Sequence, residues 1–522
     1  MSDMSRRRLL KMAGGITFLA LAPNGRGAFA IDSTMLNEKN PLTKATGDSG
    51  KTLAAPLPLF TALPYIQPGA KGTTLRDGDE SIVIAWQTDR RPSDFQVIVR
   101  GKGLTPTAIV PKRSERFSGD MDDGEGRFDY AAIIEGLSLS TRYDYRVVMN
   151  SKTIAEGFFT TRKKRGTKTR FVTFGDNSYG EISDRMIAYQ AYQAKPDFIM
   201  NTGDNVYEDG LDNEYARFFF PVYNADIAHP RVGAPLLRSV PYYTVIANHD
   251  VHGKDEMKRP VVDFKTNPDS GGYFTCMYLP GNGHDTTQKT PIIGPKDRID
   301  LFRQTAGDRF PRQATYSFDY GDAHFLCLDS NIYVDANDPA LHRFIEEDLK
   351  ATDASWKFVV FHHPAFNVGY DHYSEQHMRV LSPIFEKNGV NIVLHGHEHN
   401  YQRTLPFTFA PSDISAASTL NTKSRLVPGK FTIDRAFDGV KNTKANGVIY
   451  ITTGAGGKHL YDMEDNDKPE RWKHKEDDYA DYIARFVSDR HSLTVVDMDA
   501  GSLNFKQVDQ WGNVIDQFRL TK

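Results

Sequence analysis

The chain has 522 residues, of which 39% are hydrophobic, 11% aromatic and 25% charged. Single hydrophobic cores stop growing at about 250 to 300 residues, so this length predicts two or three folded units. The composition excludes wholesale disorder, a collagen-like repeat and a polytopic membrane protein. The formal net charge of −3 argues against a protein that binds nucleic acid by neutralising phosphates.

Cysteine is scarce, since Cys276 and Cys327 are the two in the chain. Two cysteines cannot supply a disulfide framework or a zinc site built from thiolates. Cys327 lies in an apolar run and is expected to be a buried, inert thiol. The sequence does not decide whether Cys276 and Cys327 form a disulfide with each other.

The first 30 residues have the features of an export signal. Arg6, Arg7 and Arg8 precede a short apolar stretch at residues 16–22, and Ala30 ends a small-residue pattern of the kind read by signal peptidases. This segment resembles a twin-arginine signal, so we expect a periplasmic or secreted bacterial protein. The apolar stretch is shorter than the roughly 20 residues of a membrane span, and no later segment reaches that length.

Residues 31–56 lack periodicity and are interpreted as a linker. Residues 57–162 then contain several short runs in which apolar and polar residues alternate, which predicts a small all-β sandwich. Leu137, Thr141 and Tyr143 resemble the tyrosine corner of fibronectin type III domains. The basic segment that follows, residues 161–168, is interpreted as a solvated hinge rather than a phosphate-attracting strip.

From residue 170 onward, continuous apolar runs alternate with helical patterns, which is typical of strands buried on both faces of an α/β domain. Helical spacing is found at residues 341–350 and 374–386, and alternating strands are predicted between residues 483 and 520. Functional groups in such domains gather where strands end. The predicted strands with polar ends lie at residues 171–174, 198–200, 243–246, 358–361 and 392–394.

Side chains of the metal-ligand type follow each of these five strands. Carboxylate, amide and phenol oxygens combined with imidazoles suit iron, zinc or manganese. Seven ligands exceed the needs of one ion, and a bridging aspartate implies two metals about 3.5 to 4 Å apart. Gly396 directly precedes the last two of these residues, which are two positions apart, and is expected to remove a side chain that would crowd them. The seven candidates are Asp176, Asp204, Tyr207, Asn248, His362, His397 and His399.

The five blocks in this order resemble the metallophosphoesterases, and among them the purple acid phosphatases. The resemblance implies an α/β fold, a four-layer sandwich of two mixed sheets flanked by helices, with residues 170–522 as the catalytic domain after the all-β sandwich. It also implies that Fe(III) is bound by Asp176, Tyr207 and His399. A second divalent ion, iron, zinc or manganese, would be bound by Asn248, His362 and His397, and Asp204 would bridge the two. Phenolate-to-Fe(III) charge transfer from the tyrosine gives that family its colour.

The resemblance further implies substrate contacts by Asn248, His249 and His372. His249 would hold phosphate oxygens, and His372 would protonate the leaving group. The family often has two adjacent histidines where this chain has Asp371 and His372, which leaves the pH optimum open.

Other positions also depart from the family pattern or carry two interpretations. Ser178 and Ala247 stand where the family usually has glycine, and Ser178 is expected to narrow the approach to the first metal. Tyr401 and Arg403 either pin the last ligand loop or touch substrate. His363 and His395 are interpreted as structural histidines as readily as functional ones.

These observations predict an exported acid phosphatase in which metal-bound hydroxide attacks the phosphorus of a small phosphate monoester directly. A phosphodiesterase acting on nucleotides or lipid head groups stays open, with the loops of residues 251–312 setting the choice. An exported binding protein with a vestigial metal site is the alternative from another class. No Gly-x-Ser-x-Gly or Walker motif is present, and the oligomeric state stays open.

Overall fold

The computed structural model of the protein describes residues 58–522, apart from residues 70–74, 76–77, 79, 92, 106–107, 117–125, 256–258, 285–289, 370, 418–424 and 462–478. These residues belong to one compact unit, Pro58–Lys522. The predicted export signal and linker, residues 1–30 and 31–56, lie outside the described residues. Among the helices in the described ranges, none has the length and hydrophobicity needed to cross a membrane.

The first part of the chain forms two antiparallel four-stranded sheets, which we call the N-terminal sandwich. Their orders are β1-β2-β6-β5 and β4-β3-β7-β8. Trp86, Phe95 and Tyr130 pack between them with ring centroids 4.8 to 5.4 Å apart. The backbone N–H of Ser138 donates to the Tyr143 hydroxyl at 2.9 Å, as in a tyrosine corner. The strands are β1 Phe60–Gln67, β2 Glu80–Asp89, β3 Phe95–Gly101, β4 Ala108–Ile109, β5 Lys112–Arg116, β6 Arg127–Leu137, β7 Arg142–Met149 and β8 Lys152–Thr160.

The remainder of the described chain is built on two larger mixed sheets. The six-stranded sheet contains β9 Thr169–Phe174, β10 Phe198–Asn201, β13 Tyr242–Thr244, β26 Ser492–Asp499, β27 Ser502–Asp509 and β28 Val514–Thr521. The seven-stranded sheet contains β17 Tyr316–Tyr320, β18 Ala323–Cys327, β19 Trp356–Val360, β20 Ile392–His395, β21 Tyr401–Thr404, β24 Ile449–Thr453 and β25 Ile483–Val487. Shorter strands are β11 Asn224–His229, β12 Gly233–Pro235, β14 Gly253–Lys254, β15 Pro260–Asp263, β16 Ile292–Ile293, β22 Phe407–Pro411 and β23 Gly429–Ile433.

The order of the strands brings the ends of the predicted strands to one edge. The six-stranded sheet has the order β13-β10-β9-β26-β27-β28, and the seven-stranded sheet has the order β17-β18-β19-β20-β24-β21-β25. Strands β13, β10 and β9 are parallel, as are β19 and β20. The sheets face each other across an aromatic core, in which the Phe171 ring lies 5.3 Å from that of Phe325 and 5.5 Å from that of Phe358.

Helices cover the sheets and the connections between them. The predicted helix at residues 374–386 is shorter than expected, because Pro383 begins a new helix after a 3-10 turn. The α-helices are α1 Ile182–Gln193, α2 Asp212–Glu214, α3 Phe220–Tyr223, α4 Gly272–Cys276, α5 Lys296–Ala306, α6 Pro339–Ala351, α7 Ser382–Lys387 and α8 Tyr479–Tyr482. A π-helix spans Tyr215–Phe219, and 3-10 helices span His249–Val251, Gly307–Arg309, Arg312–Ala314, His377–Leu381 and Ser415–Ala417.

The basic segment after the sandwich is only in part the solvated hinge that its sequence predicts, since Lys164 and Lys168 are exposed. Arg162 is buried and pairs with Glu80 of the sandwich at 2.9 Å. Lys163 pairs with Asp197 at 2.6 Å. Acidic side chains from both sides therefore pair with the first two basic residues and fix the start of this segment.

The two cysteines are free and buried. The disulfide that the sequence left open is therefore not formed.

Candidate metal centre

The loops that follow β9, β10 and β20 adopt an unusual backbone conformation at three predicted ligands. Asp176, Asp204 and His397 have φ angles of 59°, 49° and 70°. This left-handed region is costly for residues other than glycine and is common at functional sites. The His397 N–H donates to both carboxylate oxygens of Asp176, at 3.0 and 2.9 Å, and so joins two of these loops.

Gly396 allows the loops to approach each other. A Cβ atom at this position would lie 2.6 Å from Asp176 Oδ2 and 3.0 Å from His362 Nδ1. Both distances are shorter than normal van der Waals contact. The absence of a side chain at residue 396 thus leaves room for Asp176 and His362, in agreement with the role predicted for this glycine.

One group of side chains gathers around Asp176 Oδ1. The Tyr207 hydroxyl donates to this oxygen at 3.2 Å and lies 3.4 Å from His399 Nε2. His399 Nε2 is 3.5 Å from the same oxygen. All three residues are buried. The structure therefore brings together the three residues predicted to bind the first ion.

A second group lies beside the first. His362 Nε2 is 3.3 Å from Asp204 Oδ2 and 3.2 Å from His397 Nδ1. One ligand atom from each of these three residues lies within 4.8 Å of the others, close enough to share a metal ion. His362 Nε2 is also 4.0 Å from Asp176 Oδ1, which places the two groups side by side.

Asn248 supplies a buried oxygen without a partner. Its Oδ1 accepts no hydrogen bond from the part of the chain that the structure describes. Burying a polar atom in this state costs free energy, and coordination of a cation would remove that cost. The donor set, with carboxylates, imidazoles, a phenol and an amide, fits hard or borderline metal ions.

The charges of the two groups depend on each other. Burial raises the pKa of Asp176 to about 8, with a further increase from Asp204 and a decrease from His362. Burial lowers the pKa of His362, but Asp204 outweighs this effect and raises it to about 9. His362 and His249 hold the pKa of Asp204 below its usual value despite burial. Two carboxylates in this pocket therefore require positive charge nearby.

His249 lies at the rim of the first group. Its Nδ1 donates to the Glu208 carbonyl oxygen at 2.6 Å, and its backbone N–H donates to Asp204 Oδ1 at 3.0 Å. The imidazole packs on the Tyr207 ring with centroids 4.5 Å apart. Its side chain is 20% exposed. The ring is therefore oriented by the protein and still accessible to a ligand.

His372 lies beside the second group. Its ring centroid is 3.8 Å from that of His397, and its Nδ1 donates to Glu375 Oε1 at 3.1 Å. Its Nε2 lies 2.9 Å from the Tyr461 hydroxyl. Burial lowers the pKa of His372, but the hydrogen bond to Glu375 and the charges of Glu375, Glu398 and Asp371 together outweigh burial and raise it. The position thus favours the protonated imidazole.

The remaining predicted positions have mainly structural partners. The Ser178 hydroxyl accepts from Asn177 Nδ2 at 2.8 Å. Tyr401 and Arg403 both donate to Asp516 Oδ2, at 2.8 and 2.7 Å, and so connect β21 to β28. His363 Nδ1 lies 2.9 Å from the Ser330 hydroxyl, and His395 is fully buried.

Three residues of this region are absent from the sequence-based prediction. Glu375 follows His372 by three residues, so a search for carboxylates close to the outer histidine would have found it. Lys458 and Tyr461 lie after the glycine-rich segment of residues 454–457, far along the chain from every ligand block. No local pattern marks these two residues.

Comparisons with known proteins agree with this geometry. Residues 169–401 match the family described as calcineurin-like phosphoesterase. Purple acid phosphatase 17 of Arabidopsis thaliana is 26% identical over 295 residues, which cover 54% of this chain and 76% of that protein. Probable inactive purple acid phosphatase 9 of the same plant is 24% identical, over 52% of this chain and 42% of that protein.

The fold has a counterpart among solved structures. A purple acid phosphatase from yellow lupin (Lupinus luteus) seeds superimposes with a TM-score of 0.59 at 18% identity, covering 88% of this chain and 74% of that chain. Because the superposition covers 88% of this chain, it includes the N-terminal sandwich as well as the two mixed sheets. The chain therefore contains a calcineurin-like metallophosphoesterase domain and has purple acid phosphatases among its homologues.

Proposed function

We propose that this phosphoesterase is a dinuclear metal-dependent phosphatase that hydrolyses small phosphate monoesters. The observation that supports the proposal is the convergence of the predicted ligands in two adjacent groups. Two side-chain ligand atoms, Asp176 Oδ1 from one group and His362 Nε2 from the other, are 4.0 Å apart. That spacing is of the order expected for ligands of two ions about 3.5 to 4 Å apart.

Each group would hold one ion. Asp176, Tyr207 and His399 would bind Fe(III), and Asn248, His362 and His397 would bind a divalent iron, zinc or manganese ion. Asp204 would bridge them, since it lies beside His362 and also contributes to the raised pKa of Tyr207, after burial and Asp176. When bound, the two cations would neutralise phosphate oxygens and lower the pKa of water.

The protein's own side chains would position the substrate and move one proton. His249, with Nδ1 occupied by the Glu208 carbonyl, would present Nε2 to a phosphate oxygen, and Asn248 would contact the substrate beside it. His372 would donate its proton to the departing alkoxide, a role that its raised pKa and Glu375 support.

A vestigial metal site is the competing interpretation from another class of protein, and some relatives carry the word inactive in their names. The complete set of seven candidate ligands in this chain favours an active enzyme. Metal analysis of the purified protein separates the two interpretations, because a vestigial site would contain no stoichiometric metal.

We also propose that the enzyme is exported. Support comes from Arg6, Arg7 and Arg8 ahead of the short apolar stretch at residues 16–22. Fusion of residues 1–40 to a reporter tests the proposal. The reporter should reach the periplasm, and replacing Arg6, Arg7 and Arg8 with lysine should retain it in the cytoplasm.

The deciding experiment compares a chromogenic phosphomonoester with the matching diester across pH. We expect strong preference for the monoester with an optimum on the acid side. Preference for the diester would leave the metal assignment in place but replace the phosphatase proposal with a phosphodiesterase. No hydrolysis of either substrate by protein that contains two metals per chain would contradict both.

A further inference from the structure

A lysine ammonium lies against the proposed iron ligand Tyr207. The Lys458 side chain is only 6% exposed, and its Nζ lies 4.3 Å from the centroid of the Tyr207 ring. The same atom is 3.3 Å from the centroid of the Tyr179 ring and forms an ion pair with Glu208. A buried ammonium is costly unless it is paired, so these three neighbours fix where the charge lies.

The backbone fixes the other end of this side chain. The Lys458 N–H donates to the Asp176 carbonyl oxygen at 2.9 Å. Just before it, a Cβ atom at Gly456 would lie 2.1 Å from the Gly175 carbonyl oxygen, so only glycine allows this close packing. Lys458 is therefore held at both ends beside the loop that carries Asp176.

We infer that Lys458 is a positioning residue that sets how strongly Tyr207 donates electrons to a bound Fe(III). The inference rests on the proposed function, because it concerns iron coordinated by this phenolate. A cation beside the ring stabilises the electrons of the phenolate through Coulomb and cation–π attraction. More energy is then needed to transfer an electron to the metal, and the visible band lies at shorter wavelength.

Glu208 contributes to this arrangement through both its carboxylate and its backbone carbonyl. Its carboxylate, 47% exposed, partly compensates the charge of Lys458. Its backbone carbonyl accepts the hydrogen bond from His249 Nδ1 at 2.6 Å. The Lys458–Glu208 pair therefore also holds the segment that orients His249, which we propose to contact the substrate.

The experiment measures the visible spectrum of the iron-loaded protein with Lys458→Met and Glu208→Gln. Lys458→Met removes the cation, so the band should move to longer wavelength, and KM should rise more than kcat falls. Glu208→Gln leaves the cation uncompensated, so the band should move to shorter wavelength. Lys458→Arg should leave the band near the wild-type position. Lys152→Met, at an exposed position of the sandwich, is the matched control and should change neither spectrum nor kinetics.

Metal content and Tm are measured for every variant, so that a shift is read only from folded, loaded protein. Tyr207→Phe should abolish the band and thereby assign it. A coloured wild type whose band stays in place in both Lys458→Met and Glu208→Gln would overturn the inference alone. If Lys458→Met fails to fold, the sign of the Glu208→Gln shift decides. A colourless iron-loaded wild type would overturn the Tyr207–Fe(III) assignment, and the inference with it.

Discussion

Arg127, on strand β6 of the N-terminal sandwich, pairs with Asp212 of the phosphoesterase part, with Nη2 and Oδ1 2.8 Å apart. Arg116 on β5 donates to the other oxygen of the same carboxylate at 2.7 Å. Asp212 is fully buried and follows Tyr207 by five residues. Burial opposes ionisation, but the two arginines hold the pKa of Asp212 below its usual value. The sandwich is thus joined through a charged, buried contact to the segment that carries a proposed ligand.

Replacing Arg127 with methionine should destabilise the protein strongly. Arg116 would still compensate Asp212, but the buried Asp129, whose Oδ1 lies 3.5 Å from Arg127 Nε, would lose this partner. Removing one partner of a buried ion pair typically costs about 3 to 5 kcal/mol of unfolding free energy. The measurement is urea unfolding followed by circular dichroism. Arg142→Met is the control, because its pair with Asp144 is exposed and should contribute about 0 to 1 kcal/mol. Equal losses of unfolding free energy in the two variants would contradict a stabilising role for the buried ion pair.

Asp204→Asn should lose both metals and nearly all phosphatase activity. An amide in this position cannot provide the negative charge that two cations would share. Even changes to residues that only contact the ligands typically reduce metal affinity 10- to 100-fold, so the loss of a bridging ligand should be larger. Metal content by mass spectrometry and turnover of a chromogenic phosphomonoester are measured together. Asp226→Asn, at an exposed carboxylate, should leave both unchanged. Substantial turnover by Asp204→Asn would contradict the bridging assignment.

His372→Asn should slow the hydrolysis of substrates with poor leaving groups more than that of substrates with good ones. General acid catalysis typically contributes about 10²- to 10⁴-fold, and a nitrophenolate needs little protonation to depart. The test compares kcat for an alkyl phosphate and for p-nitrophenyl phosphate. His342→Asn serves as the control, because this histidine contacts the Ala336 carbonyl and not the metal centre. An equal loss on both substrates would argue against a proton donor at residue 372.

His324 should make the protein more stable at neutral than at alkaline pH. Its two ring nitrogens lie 2.9 Å from Asp319 and 2.8 Å from Asp348. Burial lowers the pKa of His324, but these two carboxylates outweigh burial and raise it to about 9. The stabilisation is therefore complete below the unfolded pKa of about 6.5 and is lost as the pH rises through about 9, a change of about 3 kcal/mol.

The measurement for His324 compares unfolding free energies of the wild type and His324→Gln at pH 6 and pH 10. The difference between the two proteins should be large at pH 6 and small at pH 10. A difference that stays constant with pH would refute the role of the protonated imidazole. Because the comparison is between variants, titration of other histidines cancels.

The ligand blocks could be predicted from the sequence because each is local. Asp176, Asp204 and His397 directly follow apolar runs, and parallel strands place such ends at one edge of a sheet. Strand positions are likewise readable from alternation in the sandwich and from continuous apolar runs in the phosphoesterase part. The expectation of a solvated segment at residues 161–168 is wrong for Arg162, and the cause is clear. Arg162 pairs with Glu80, which is 82 residues earlier, and local charge density gives no information about such a partner.

The sequence by itself determined the side-chain chemistry of the proposed site: the types of the candidate ligands and their order along the chain. Only the tertiary structure decided which charges lie beside that chemistry. Lys458 reaches Tyr207, and Arg127 reaches Asp212, because separate segments are brought together by strand order and register. Side-chain contacts between distant segments depend on the packing of the whole core, so no local pattern of residues encodes them.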